Sequence, residues 1–403
     1  MSVAQGTPVA AASARGRVLA VSCGAHALHD GYTDLIYVLL PVWQAEFGLS
    51  YVALGALRML YAGAMASLQV PASGLASRLG APVVLAAGTA LAAGAYLLIG
   101  LTGAGFVLLA AALLAGGAGS ATQHPLASAI VSRAYDDRGA RSALGTYNFS
   151  GDLGKMALPA LIAWLMVILT WRQAVGVIGL LGLALSAAIL LLLPRGLGRI
   201  AQAPAHQAAA PAVAMPDVPR SRVAFPLLFS IGLLDSATRM GFLAFLPFVL
   251  KEKGAGLETI GIALTLVFAG GAVGKLACGL LGERLGVLRT VLLTECATAG
   301  GILALSPLPL AAALACLPVI GLALNGTSSV LYGTVPELVA SDRRERAFGL
   351  FYTGTIGAGA ISPVLYGLVG DAIGPDRAIT VVAAVCLLTV PLAIALNPFL
   401  RRD

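Results

Sequence analysis

Four ionisable side chains lie close together in an otherwise apolar stretch near the N-terminus, GAHALHDGYTDLIYVLLP at residues 24–41. They are His26, His29, Asp30 and Asp34. On a helix, His26, Asp30 and Asp34 recur every four residues and share one face, which His29 flanks. Facing lipid, such groups would cost several kcal/mol, so we expect them to face a water-accessible cavity. Carboxylates and imidazoles can exchange protons or bind divalent transition metals, and both chemistries fit this face.

The composition predicts the environment of this helix. Of 403 residues, 59% are hydrophobic and 11% charged, and mean hydropathy is +0.92, whereas soluble chains carry about 25% charged residues. We therefore predict an integral membrane protein. Residues 1–17 are polar or small, so we expect no cleaved signal peptide. The five cysteines lie in apolar runs without metal-ligand or disulfide spacing, which favours packing roles.

Windows of about 20 residues predict twelve transmembrane helices. The spans are 16–43, 50–78, 81–102, 104–133, 141–168, 171–194, 222–250, 256–284, 286–306, 308–337, 346–371 and 377–400. We predict a cytoplasmic tail at 1–15, six-helix bundles at 16–194 and 222–403, and a cytoplasmic linker at 195–221 rich in Ala and Pro. Seventeen Lys and Arg residues lie on the side of the termini against four opposite, which predicts cytoplasmic termini. The scattered basic residues do not indicate nucleic acid binding.

The two halves of the sequence resemble each other. A shift of 206 residues aligns Pro41 with Pro247, Gly55 with Gly261 and the motif Arg78-Leu79-Gly80 with Arg284-Leu285-Gly286. These matches keep their order, which indicates a duplicated six-helix unit. Transporters built from such repeats bind substrate near the bilayer midplane and alternate access by rocking.

These features together resemble the major facilitator superfamily. Within it, HDGYTDLIYVLLPVWQAEFGLSYVALGAL and SLQVPASGLASRLG are similar to the fosmidomycin-resistance branch of drug exporters. The cytoplasmic signature between helices 2 and 3 departs from the family pattern at Ser73 and Ser77, whereas GLLGERLG in the second half keeps Gly279, Glu283 and Arg284. The resemblance implies an all-α membrane fold of two pseudo-symmetric six-helix bundles, with spans 1, 4, 7 and 10 lining the cavity. It also implies a bacterial inner-membrane efflux antiporter.

Candidate site residues are the ionisable and aromatic groups at mid-span depth. We assign proton coupling to Asp30, Asp34 and His29. We assign substrate binding to His26, Tyr32, Arg58, His124, Asp152, Lys155, Asp235 and Arg239. Because four cations, including Lys275, lie at this depth, we expect a small anionic or zwitterionic substrate. The alternative is a transition-metal exporter that uses His26, His29, Asp30 and Asp34.

Structural roles compete with these assignments. Asp152 and Lys155, like Asp235 and Arg239, have helical spacing and could neutralise each other within one helix. His124 could serve packing next to a proline. Arg58 has no acid within a helical turn, so it needs Asp30, Asp34 or an anionic substrate as partner. Glu295 lies in span 9, which the resemblance makes peripheral, and it has no assigned role.

The sequence contains none of the common catalytic motifs. It has no nucleophile elbow, zinc-protease motif or phosphate-binding loop. We therefore expect no enzymatic activity, no direct nucleotide hydrolysis and no cofactor. The expected partners are a small-molecule substrate, protons and the lipid bilayer, and we expect a monomer.

Overall fold

The structure is a computed structural model, and it describes residues 8–101, 105–135, 137–194, 222–340 and 343–400. Within these ranges the chain is almost entirely helical and contains no β-strand. The predicted linker 195–221 and the first part of the predicted tail lie outside the described residues. Long helices follow from the composition, because backbone groups in a bilayer must bond within their own segment.

Eight helices are described before residue 195. They are α1 (Pro8–Phe47), α2 (Tyr51–Ser67), α3 (Gln69–Leu79), α4 (Ala81–Leu101), α5 (Phe106–Ser120), α6 (Gln123–Ala134), α7 (Asp137–Ile168) and α8 (Trp171–Leu192). Six α-helices are described after residue 221. They are α9 (Ala224–Glu252), α10 (Leu257–Leu305), α11 (Leu310–Leu338), α12 (Arg344–Ile373), α13 (Pro375–Leu387) and α14 (Thr389–Leu396).

These helices provide twelve membrane spans in the described part of the chain. Nine helical segments are long and apolar enough to cross a bilayer by themselves, and α2 with α3 forms a tenth span that bends by 45°. The 49-residue α10 contains two spans, because Gly286 interrupts it with a φ of 76°, which glycine tolerates. The twelfth is α1, whose ionisable face lowers its hydropathy. The break at Gly286 coincides with the predicted boundary between the eighth and ninth spans.

The chain forms two compact units. The described residues of the first unit fall within Met1–Leu35, Leu60–Leu158 and Ile168–Ala210, and those of the second within Ile36–Met59, Pro159–Val167 and Pro211–Asp403. Each unit has its own apolar core. In the first, Leu85, Leu126 and Ile130 are buried among many aliphatic neighbours. In the second, Leu228, Leu331 and Phe351 are equally buried. The predicted domain limits at 16–194 and 222–403 stay predictions.

Glycines bring α1 and α7 together within the first unit. Gly154 packs against the carbonyl of Ala27, and a Cβ added at Gly31 would lie 2.6 Å from the Leu158 side chain. Small residues at such crossings let two helix backbones approach closely. As a result, polar groups of α7 come within ion-pair distance of those on α1.

Candidate functional site

The carboxylate of Asp30 lies at the centre of a polar cluster within the first unit. Lys155 Nζ lies 3.3 Å from Asp30 Oδ2, His26 Nε2 lies 3.5 Å from the same oxygen, and His124 Nε2 lies 3.6 Å from Oδ1. We call these four residues the Asp30 cluster. Asp30 and His26 come from α1, His124 from α6 and Lys155 from α7. The structure thus brings four of the predicted site residues together.

The ring of His26 is held in a defined orientation. Its Nδ1 lies 2.8 Å from the carbonyl oxygen of Tyr147, which can only accept a hydrogen bond, so Nδ1 carries a proton. The ring also stacks on Tyr147 at a centroid distance of 4.2 Å. Consequently Nε2 is the nitrogen that faces Asp30. It offers a lone pair when His26 is neutral and a proton when His26 is charged.

The Asp30 cluster is buried at its carboxylate and more open at Lys155 and His124. The Asp30 side chain is 11% exposed, compared with 29% for Lys155 and 32% for His124. The carboxylates of Asp34 and Asp152 also act electrostatically on the Lys155 ammonium. Lys155 therefore has two further acidic groups in its surroundings besides Asp30.

His29 lies on another side of α1 and does not join the cluster. Its Nδ1 lies 3.0 Å from Ser120 Oγ, and its Nε2 lies 3.0 Å from Thr89 Oγ1. The residue is buried. Both ring nitrogens are therefore engaged in connecting α1 with α4 and α5. This arrangement favours a packing role over the predicted proton coupling.

Tyr32 also serves the packing of the first unit. Its side chain is fully buried, and its hydroxyl donates to the carbonyl of Ile178 at 3.0 Å. Tyr96 in turn donates to the carbonyl of Tyr32 at 2.5 Å. Because the hydroxyl of Tyr32 is already engaged, we leave it out of the proposed binding site.

The remaining predicted residues lie in the second unit. The Arg58 guanidinium is placed over the Tyr37 ring at 5.0 Å from its centroid, a cation–π geometry. Asp235 is buried, shares a hydrogen bond with Glu295 and interacts electrostatically with Arg239. The structure thus gives Glu295 a polar partner. Asp30, one of the partners that the sequence offered for Arg58, forms an ion pair with Lys155.

The residues that could bind a metal ion in the structure differ from the set predicted from the sequence. One donor atom each from His26, Asp30 and His124 lie within 4.8 Å of one another. His29 hydrogen-bonds to two hydroxyl groups, and His124 is the second histidine of this ligand set. Within the part of the chain that the structure describes, this is the group whose histidine and carboxylate spacing fits a metal ion.

The family is decided by comparison with known proteins. The family described as Major Facilitator Superfamily matches residues 23–234 and 228–402. The chain belongs to this superfamily. It is 26% identical over 387 residues to the fosmidomycin resistance protein of Escherichia coli (strain K12), with 91% of each chain covered. The resemblance to the fosmidomycin-resistance type is therefore confirmed, and the chain is a multi-pass membrane transporter.

Solved structures support the fold. A bacterial homologue of the human lysosomal transporter Spinster matches with a TM-score of 0.76, 16% identity and 98% of both chains covered. The nucleoside transporter NupG matches with a TM-score of 0.77 and 13% identity, over 96% of this chain and 100% of that one. At these identities the likeness concerns the fold alone. It confirms the prediction of twelve transmembrane helices in two six-helix bundles.

Two residues that shape the site were not identified from the sequence. Tyr147 orients His26 through its carbonyl and its ring. Gly151 lies directly against the cluster, because a Cβ there would be 2.7 Å from both Asp30 Oδ2 and His26 Nε2. The small-residue spacing in SGDLGK, residues 150–155, was a signal for close helix approach.

Proposed function

We propose that this chain is a proton-coupled exporter of small anionic or zwitterionic molecules in the bacterial inner membrane, with cytoplasmic termini. The observation that carries the proposal is the Asp30 cluster. It places an ionisable carboxylate 3.3 Å from an ammonium group that is 29% exposed, in a membrane-embedded unit. Protonation of Asp30 removes the attraction that holds Lys155, and loss of the proton restores it. The same carboxylate can therefore bind the proton and alter the charge that a substrate meets.

The sign of the coupling depends on the charge of the substrate. A purely anionic molecule would pair with Lys155, and a proton on Asp30 would favour this by releasing the lysine. Proton and anion would then bind together, which corresponds to cotransport in one direction. A positively charged group would instead compete with the proton for Asp30, and mutual exclusion is what antiport requires.

A zwitterion satisfies both members of the ion pair. Its cationic group would replace Lys155 at Asp30, and its anionic group would bind the Lys155 ammonium that is released. Efflux by antiport at the Asp30 cluster therefore favours zwitterionic over purely anionic substrates. The similarity to a fosmidomycin resistance protein supports phosphonates as the anionic half, because a compact anion suits an ammonium partner.

Binding to the purified protein tests this mechanism at pH values below and above neutrality. Fosmidomycin is the anionic probe, and an aminoalkylphosphonate is the zwitterionic one. We expect the affinity for the zwitterion to rise with pH and that for fosmidomycin to fall, because deprotonation of Asp30 attracts a cation and retains Lys155. Asp30→Asn should remove both pH trends and weaken zwitterion binding about 10- to 100-fold, the value of a charged hydrogen bond.

Two further variants make the result specific. His124→Gln removes a second titratable group while keeping Asp30, so it should retain the pH trends. Glu258→Gln removes an exposed acid in the first turn of α10 and should behave like the unmodified protein. Uphill transport of the zwitterion by Asp30→Asn in proteoliposomes with a pH gradient would contradict the assignment of Asp30 as the coupling site.

Metal export is the second candidate, and the spacing of His26, Asp30 and His124 favours it. The hydrogen bond from His26 Nδ1 to the Tyr147 carbonyl is of the type that orients metal-binding histidines. A metal ion would have to displace the Lys155 ammonium from Asp30, which counts against tight binding. Visible absorption of added Co²⁺ tests this candidate. An intense band that His124→Gln abolishes would support a metal site, and an unchanged aqueous spectrum would eliminate it.

A further inference from the structure

A second group of buried ionisable residues lies in the second unit, apart from the Asp30 cluster. Asp235 of α9 is 4% exposed, and Glu295 of α10 is 2% exposed. Their carboxyl groups share a hydrogen bond. Arg239, one helical turn beyond Asp235, interacts electrostatically with Asp235 and is only half-buried. The function proposed above gives these two acids no role.

A hydrogen bond between two carboxyl groups requires a proton. Two ionised carboxylates have only acceptor atoms and repel each other, so one of the two must carry a proton for the contact to hold. Charge neutrality also requires one proton, because one proton leaves a single carboxylate opposite the single guanidinium of Arg239. Without it, the pair would hold an uncompensated negative charge inside the membrane, which is strongly unfavourable.

The surroundings of the two acids place the proton on Glu295. Oε2 of Glu295 lies 3.0 Å from Cys386 Sγ and 3.4 Å from Thr389 Oγ1. The Thr327 hydroxyl also acts on Glu295, and it donates to Thr294 Oγ1 at 2.7 Å. All three groups are neutral, so they stabilise a negative charge on Glu295 less than the Arg239 guanidinium stabilises one on Asp235. Asp235 instead has a cation beside it and is the better position for the negative charge.

Other polar groups around the pair are compatible with proton exchange. Tyr332 of α11 interacts electrostatically with Asp235 and Arg239, and Tyr366 of α12 with Cys386. Thr298, one turn beyond Glu295, is 2% exposed, and its hydroxyl has no hydrogen-bond partner among the described residues. A buried hydroxyl without a partner leaves room for a further hydrogen bond at this depth. The connection from Glu295 through Asp235 ends at the half-buried Arg239.

We propose that Asp235 and Glu295 hold one proton between them and form a second proton-binding site that exchanges its proton during the transport cycle. This inference rests on the proposed proton coupling and adds one proton per cycle to the one at Asp30. The proton leaves Glu295 when the site opens to water, and the guanidinium of Arg239 then faces two carboxylates. Proton binding restores the neutral, closed arrangement. No other reactant is needed.

Infrared spectroscopy tests proton occupancy without any transport. The carbonyl stretch of a protonated carboxylic acid is separate from the bands of carboxylates. We expect the purified protein to show it near neutral pH and Glu295→Gln to lose it. Gln retains the donor and acceptor of a protonated Glu, so this variant should fold. Glu258→Gln on the same helix is the matched control and should keep the band. Absence of the band in the unmodified protein would overturn the proposal.

The transport stoichiometry tests whether the proton moves. In proteoliposomes, the membrane potential at which zwitterion flux reverses gives the number of protons per substrate. We expect Glu295→Gln to lower this number by one and Glu258→Gln to leave it unchanged. If Glu295→Gln loses the infrared band but keeps the stoichiometry, the pair is a static hydrogen bond and the inference is wrong. If the unmodified protein shows the band but no proton-driven flux, the proposed coupling fails, and so does the exchange inferred here.

Discussion

Replacing Gly151 by alanine should disturb the Asp30 cluster without removing any of its charges. The added methyl group would lie 2.7 Å from both Asp30 Oδ2 and His26 Nε2. Because ordinary contact begins at 3.4 Å, restoring it requires these atoms or the backbone of α7 to move by about 0.7 Å. His26 is restrained by Tyr147, so Asp30 should move, and its 3.3 Å contact with Lys155 should weaken.

Two measurements separate the local effect from general damage. Overpacking costs about 1–3 kcal/mol, partly offset by about 0.5–1 kcal/mol gained when alanine replaces glycine in a helix. We therefore expect a modest loss of thermal stability. The rate of proton-driven zwitterion transport should fall more, up to about 10²-fold, as when reacting groups are displaced by about 1 Å. Gly145→Ala is the control on the same helix, because nothing lies within 4 Å of its added methyl. Equal transport by both variants would refute the assigned geometry.

Further predictions concern packing and helix ends. The Asp371 carboxylate accepts hydrogen bonds from the first two amides of α2 at 2.6 and 3.1 Å, so it caps this helix. Asp371→Ala should therefore lower stability by about 1 kcal/mol, as the loss of other helix caps does. An unchanged unfolding midpoint would contradict this. Gly270→Ala should destabilise the second unit by about 1–3 kcal/mol through overpacking, since its methyl would overlap the carbonyl of Pro318, whereas Gly300→Ala, with open space around it, should not. His29→Phe should lower stability by about 1–3 kcal/mol, because it removes two buried hydrogen bonds that connect α1 with α4 and α5. It should also keep the pH dependence of zwitterion binding, and loss of that dependence would restore His29 as a coupling residue.

Most of the helical architecture could be predicted from the sequence, because the bilayer imposes both helix formation and helix length. The predicted fourth-to-sixth spans, for example, correspond to the described segments Phe106–Ala134, Ser142–Ile168 and Trp171–Leu192. The boundary at Gly286 was equally visible, since a glycine between two apolar runs marks a break. Local hydropathy and glycine chemistry determine these features, so no knowledge of packing was needed.

The pairing of charges was harder to predict, because it depends on which helices lie side by side. Spacing within α7 suggested that Lys155 could be neutralised by Asp152. The structure places Lys155 at ion-pair distance from Asp30 on α1, while Asp152 acts on it electrostatically. This arrangement depends on the close approach of the two helices, for which Gly154 provides space. A glycine signal can indicate that two helices approach closely but not which helix is the partner.

Glu295 shows the limit of reasoning from span number. A peripheral span was expected to offer no polar surroundings, so a charge there had no explanation. In the structure Glu295 is buried and interacts with Asp235, Cys386 and Thr389. Even a peripheral helix has one face that points inward, and the rotation of the helix about its axis decides which residues lie on that face. The sequence of a uniformly apolar span contains little information about that rotation.

The internal repeat connects the two acidic sites. The shift of 206 residues that aligns Pro41 with Pro247 places Asp30 within one residue of Asp235, so each half carries an acid at the same depth of its first helix. The two acids have acquired different partners, a lysine from a neighbouring helix for Asp30 and a second carboxyl group for Asp235. Lys155 and His124 beside Asp30 are about one-third exposed, whereas both members of the Asp235 pair are almost fully buried. Proton exchange at Asp30 should therefore be fast and sensitive to substrate, and exchange at Glu295 should wait for a change of conformation.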